Sequence, residues 1–200
     1  GCLEQTTSKA WPVLYVNDND ASWSKSEREK HIAKAINHIS QMQLNTGAFS
    51  LWRGGNRPEP WLSMYAMEFL QEAKAKGYEV PENLLINGMD YVENLDVDSM
   101  SVRAYAIYLR TKYGNADPGE ARYLASNLSS NDFGVQSQVH LAATFGLLGD
   151  VLREQRILGE VGGVNPMSWN RYDYRSQIRD QALFSYYVLD SDVIGQDFKS

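Results

Sequence analysis

Apolar residues recur along the chain at intervals of three and four, the spacing that puts them on one face of a helix. Ile32, Ala35, Ile36, Ile39 and Met42 form one such stripe, behind Ser24 and Glu27, which are set three apart as a capping box. Thr46-Gly47 closes that helix, and Gly54-Gly55 with Pro58 and Pro60 predict an ordered loop. A helix is predicted from Trp61 to Lys76, stopped by Gly77, and another from Pro81 to Leu95. Asp98 reads as the cap of the next, which ends at Gly114. Asp117-Pro118 supplies the N-cap and first-turn proline of a helix reaching Leu128. Further helices are expected over 134–148, 150–158 and 173–189, with 159–172 as a connecting loop. Near the start, Thr6 to Val16 reads as a short helix that Pro12 should kink or end early. No β-alternation of useful length appears, so the chain reads as all-α.

A longer period lies over these elements. Ala66, Ala106, Ala142 and Ala182 each sit in a segment mixing small, aromatic and aliphatic residues, at spacings of 40, 36 and 40. That is the length of one helix–turn–helix unit. More polar, amphipathic helices lie between them. The uniformly apolar series should form an inner layer and the amphipathic series an outer one. Periodicity alone does not choose between an open stack of hairpins and a closed ring.

Composition narrows the function classes. Two hundred residues suit one domain, enough to bury roughly 70% of the unfolded surface. A net charge of −6 without a basic cluster argues against nucleic acid as a partner. No apolar run approaches the length that crosses a bilayer, so no direct membrane contact is expected of these residues. The chain begins with glycine and its key motif at once. It is therefore expected to be a single domain, 1–200, excised from a longer multidomain chain.

Cys2 is the only cysteine, and Gln5 follows it by three positions. On the first turn of a helix such residues share a face, with Cβ atoms roughly 5–6 Å apart. Attack of the thiolate on the side-chain amide carbon, with loss of ammonia, would close a thioester across Cys2 and Gln5. A helix N-terminus favours both steps, lowering thiol pKa and offering N–H groups to a developing oxyanion. The bland alternative is a small buried thiol beside a solvated glutamine.

The surrounding residues tilt that choice. Gly1-Cys2-Leu3-Glu4-Gln5-Thr6-Thr7-Ser8, then Ala10-Trp11-Pro12, resembles the thioester motif of bacterial α2-macroglobulins, relatives of the animal α2-macroglobulins and complement thioester proteins. The usual form of that motif has glycine where this chain has Leu3. A second block, Gly47-Ala48-Phe49-Ser50-Leu51-Trp52, then Glu59-Pro60-Trp61-Leu62 and Tyr65-Ala66-Met67, resembles the same family's thioester domain. The likeness is dense over residues 1–80 and thinner to about residue 190.

The resemblance implies an α/α toroid of helical hairpins, here with its ends incomplete. It also implies a single-use covalent protease inhibitor, not a turnover enzyme. A lysine of the attacking protease takes the Gln5 acyl group and Cys2 leaves, with Gly1, Leu3 and Glu4 supporting the motif. The implied partners are target proteases and other domains of the parent chain. The implied place is the periplasm, with the parent lipid-anchored to the inner membrane. No cofactor or metal is called for.

Other residues are candidates as well. Some complement relatives use a histidine to relay the acyl group to hydroxyls, but the matching connection here, Asn94 to Asp98, has none. His31 and His38 are expected to face solvent, and His140 to be a hydrogen-bonded structural residue. Lysine amines are then the expected nucleophiles, since neutral hydroxyls need a base. The alternative class is a carbohydrate-active toroid enzyme. It would need two carboxylates across a sugar, and Asp18, Asp20, Glu59 and Asp98 do not stand out from ordinary caps. Trp52, Trp61, Tyr65 and Trp169 would be its sugar platform, though aromatics packed between hairpins are preferred. Asn17-Asp18-Asn19-Asp20 reads as a turn, because the glycine and terminal glutamate of a calcium loop are missing.

Overall fold

The computed structural model describes residues 1–16, 22–128 and 134–162. The turn at 17–20, Trp169, Ala182 and the helix expected over 173–189 lie outside the described residues. Eight α-helices are described: α1 (Leu3–Ala10), α2 (Lys25–Ser40), α3 (Pro60–Ala75), α4 (Glu82–Glu93), α5 (Met100–Tyr113), α6 (Pro118–Ser126), α7 (Val135–Leu147) and α8 (Val151–Gly162). Among the described residues there is no strand, only an isolated antiparallel bridge between Gln43 and Phe49. The all-α class is therefore as expected, and its paired helices are of the kind that builds an α/α toroid. The chain divides into two compact units, Gly1–Leu95 and the residues from Asp96 onward.

Within the first unit, α1 packs on α2 and α3, and α3 on α4. Pro12 acts as the sequence suggested: α1 ends at Ala10 and the chain tightens into a 3-10 helix, Trp11–Tyr15. α1 itself starts earlier than Thr6, at Leu3, because Cys2 caps it. α2 has the expected capping box, with the Ser24 hydroxyl accepting from Glu27 N–H and the Glu27 carboxylate accepting from Ser24 N–H. Gly47 has φ +84°, and a Cβ there would lie 2.0 Å from the Asn87 carbonyl oxygen. Only glycine lets this loop lie so close to α4. Gly88 serves the α3–α4 contact in the same way, since a Cβ would meet Met67 Sδ at 2.1 Å.

In the second unit α5 packs on α6 and α7, and α7 on α6 and α8. Ala104, Ile107, Leu124, Leu141, Phe145 and Ile157 anchor its apolar cluster. Two boundaries differ from expectation. The cap of α5 is Ser99, whose hydroxyl accepts from Val102 N–H, and Asp98 is exposed. α8 runs through Gly159 into the segment expected to be loop, because Glu154, Ile157 and Val161 continue one buried stripe.

The two-series pattern is present in both units. α3, α5 and α7 are buried on most of their faces, whereas α2, α4 and α6 each bury one stripe. Ala66, Ala106 and Ala142 are all buried on the first kind of helix, where a small side chain permits close helix approach.

Candidate functional site

The N-terminus of α1 is tied down by main-chain hydrogen bonds before any side-chain chemistry is considered. A helix start leaves its first N–H groups without intrahelical partners. Here Leu3 N–H donates to the Leu51 carbonyl at 2.9 Å, while Thr6 N–H makes the helix's own first bond, to the Cys2 carbonyl at 3.0 Å. Leu51 belongs to the second sequence block. That block is held in turn by Ser50 N–H to the Met42 carbonyl, Phe49 N–H to Ser63 Oγ, and Glu59 N–H to the Phe49 carbonyl. The two motifs, some fifty residues apart, are thus two sides of one hydrogen-bonded structure.

Cys2 is the N-cap residue, with φ −74° and ψ 171°, and Gln5 is the third helical residue. The pair forms a capping box. Gln5 N–H donates to Cys2 Sγ at 3.4 Å, and Cys2 N–H donates to Gln5 Oε1 at 3.4 Å. The structure therefore brings the two side chains together on one turn. Sulfur is a weak acceptor, and the residues favoured at this position carry oxygen. Serine would cap more strongly, so cap strength does not explain a cysteine here. Cys2 is 6% exposed, while Gln5 is exposed. The cysteine is thus sheltered and the glutamine reaches solvent, the arrangement an acyl donor with a sheltered leaving group needs.

The motif's other members divide the same way. Leu3, at the usual glycine position, is fully buried, so its side chain becomes a core anchor. Glu4 is half-buried in the first turn, where a carboxylate complements the helix dipole. Gly1 is exposed. Thr7 is fully buried and its hydroxyl donates to the Leu3 carbonyl at 2.9 Å. Trp11 stacks on Tyr65 at 5.1 Å and 6°, and Tyr65 on Trp61 at 5.4 Å. These rings fasten the 3-10 helix to α3, the packing role preferred from sequence, while Trp52 is 56% exposed.

The histidines need a correction. His31 and His38 were expected to face solvent, but both are half-buried. His31 meets the Trp23 ring edge-on at 5.1 Å, and His38 Nε2 lies 3.0 Å from the Gly1 carbonyl oxygen. His38 is the site neighbour that sequence reasoning missed. Its one visible signal was its place beside fully buried Ile39, at the edge of the α2 stripe. His140 is buried and stacks on Tyr105 at 3.9 Å. Of the carboxylates weighed for a sugar cleft, Glu59 makes no side-chain cap bond at the start of α3, and Asp18 and Asp20 lie outside the described residues. Among the described residues no group of three His, Cys, Asp or Glu could hold a metal ion, and no helix is long and apolar enough to cross a membrane.

The described helices thus present a Cys–Gln capping box at an anchored helix start, where one turn brings a thiol against a side-chain amide. Comparison with known proteins shows what the chain is similar to. The chain is homologous to the bacterial α2-macroglobulins: it is 28% identical to α2-macroglobulin of Escherichia coli over 207 residues, covering 92% of this chain. It is 26% identical to that of Xylella fastidiosa over 208 residues, again covering 92%. In each case it spans about 12% of the relative's length. Among solved structures it matches native E. coli α2-macroglobulin in its C-terminal portion, with TM-score 0.83 and 26% identity over 95% of this chain and 33% of that one. It also matches Salmonella α2-macroglobulin reacted with methylamine, with TM-score 0.82 and 25% identity over 100% of this chain and 15% of that one. No protein-family model matches.

Proposed function

We propose that this chain is the thioester-bearing part of a protease trap, in which Cys2 and Gln5 form an internal thioester that captures attacking proteases through their lysine amines. The observation that carries this is the capping box in which buried Cys2 Sγ and exposed Gln5 exchange hydrogen bonds across one helical turn. Support comes from homology to α2-macroglobulins, one of which is solved after reaction with methylamine, a small amine.

Formation joins Cys2 sulfur to Gln5 Cδ and releases ammonia. In capture, an amine nitrogen attacks Cδ, the C–N bond forms, the C–S bond breaks, and the amine proton ends on the sulfur. The acyl group is spent once, so the chain acts as an inhibitor. Water attacking Cδ would leave glutamate at position 5, and because Gln5 itself is exposed, this reading gives the task of excluding water before capture to the parent's other domains. On the same reading the parent protein works in the periplasm, anchored by lipid to the inner membrane, with its other domains controlling exposure of the bond.

Intact mass of the freshly folded full-length parent tests this. The expected chain is one ammonia lighter than its sequence, gains one methylamine on treatment, and then shows one free thiol. Cys2→Ala should abolish both the mass deficit and covalent protease capture. A parent with no deficit, or a Cys2→Ala variant that still captures, sinks the proposal.

A further inference from the structure

We propose that His38 is a positioning residue for acyl transfer at Gln5, acting through the peptide bond between Gly1 and Cys2. The inference rests on the thioester reading above. His38 Nε2 lies 3.0 Å from the Gly1 carbonyl oxygen, and a carbonyl only accepts, so the ring nitrogen is the donor. The Gly1 carbonyl and the Cys2 N–H are opposite ends of one planar amide. At its other end that amide donates to Gln5 Oε1 at 3.4 Å. A ring N–H, one peptide unit and the acyl oxygen therefore stand in series.

Electron density drawn toward the Gly1 oxygen leaves the Cys2 N–H a stronger donor, because hydrogen bonds in a chain polarise one another. The benefit grows during reaction. As an amine nitrogen bonds to the thioester carbon, the acyl oxygen gathers negative charge, and a donor already aimed at it is worth more in the transition state than before. The tetrahedral species then expels the Cys2 sulfur with its electron pair, and the amine proton passes to that sulfur. His38 touches neither the amine nor the acyl carbon. It keeps the Gly1–Cys2 amide turned toward Gln5 and makes it a better oxyanion donor. Fully buried Ile39, its neighbour on α2, holds that stretch of helix in place.

The test uses the full-length parent, with methylamine as the probe. His38→Leu and His38→Phe fill the space without a donor, and His38→Gln offers an amide N–H. We expect Leu and Phe to slow aminolysis roughly three- to tenfold, with thioester content and unfolding temperature unchanged, and Gln to restore most of the rate. Wild-type rates in both apolar variants would overturn the inference. So would a Gln variant as slow as Leu, because shape and not donation would then matter. A wild-type parent without the ammonia deficit would overturn the thioester reading and this inference together; a normal deficit with an unaltered His38→Leu rate would overturn the inference alone.

Discussion

The two units of the chain hold their helices by different means. From Asp96 onward, side-chain packing dominates: Phe145, Leu141, Ile107 and Ile157 interlock, and even the histidine of that unit is stacked on a tyrosine inside the core. In Gly1–Leu95 an apolar core is also present, but the distinctive links are hydrogen bonds made by main-chain groups outside the helices, with Leu51 and Ser50 bonding other main-chain groups, Phe49 the Ser63 hydroxyl and Gly1 the His38 ring. Packing tolerates small displacements by re-adjusting rotamers. A hydrogen bond to a fixed carbonyl defines both the position and the direction of its donor. Reactive chemistry that needs one sulfur beside one acyl carbon belongs in the second kind of environment, and that is where Cys2 and Gln5 are found.

The sharpest way to break this contrast is Phe145→Ala. Removing a fully buried ring should cost about 3–5 kcal/mol, read as faster amide hydrogen exchange in α5 and α7. The methylamine rate of the molecules that remain folded should stay at the wild-type value. A changed rate would mean that the packing of the second unit also sets the reactive geometry.

Gly47→Ala makes the opposite test. The positive φ and the 2.0 Å approach to the Asn87 carbonyl should cost about 2–4 kcal/mol. The displaced loop carries Leu51, so the anchor on Leu3 N–H should slip as well. Thioester content of the fresh parent, read by intact mass, should fall, where Phe145→Ala leaves it intact in folded molecules.

Ser24→Ala should have the smallest effect, a loss of about 1 kcal/mol from the α2 cap. Its hydroxyl hydrogen bond, first, and the Ser24 N–H, second, hold the Glu27 carboxyl below its ordinary pKa. A depressed carboxylate stabilises the fold above its unfolded pKa and loses that contribution as pH falls through the lower folded value. Acid unfolding of α2 should therefore show a small dependence on pH in and just below the ordinary glutamate range, and Ser24→Ala should flatten it. An unchanged acid transition would show that this box is unimportant to the first unit.

Much of the fold was legible because helix signals are local. The stripe of α2, its capping box, the break at Pro12 and the start at Pro118 depend on residues within one or two turns, while Pro60, expected in the loop before α3, is the first residue of that helix. The misplacements follow from the same locality. Asp98 and Ser99 are adjacent and both can cap, so nearest-neighbour chemistry does not choose between them. Gly159 looks like a stop, yet with nothing within 4 Å of a Cβ there the stripe of Glu154, Ile157 and Val161 carries α8 past it.

For the site, the sequence by itself determined the pair: a lone cysteine three positions before glutamine, at the start of a helix, with a second motif some fifty residues on. Only the tertiary structure decided how that pair is held, with Cys2 buried, Gln5 exposed, Leu51 on the helix start and His38 on the Gly1 carbonyl. The reason is physical. Spacing along one helix turn is fixed by backbone geometry and can be counted off the chain. Which carbonyl meets which donor across tens of residues depends on how helices pack, and no local pattern records that.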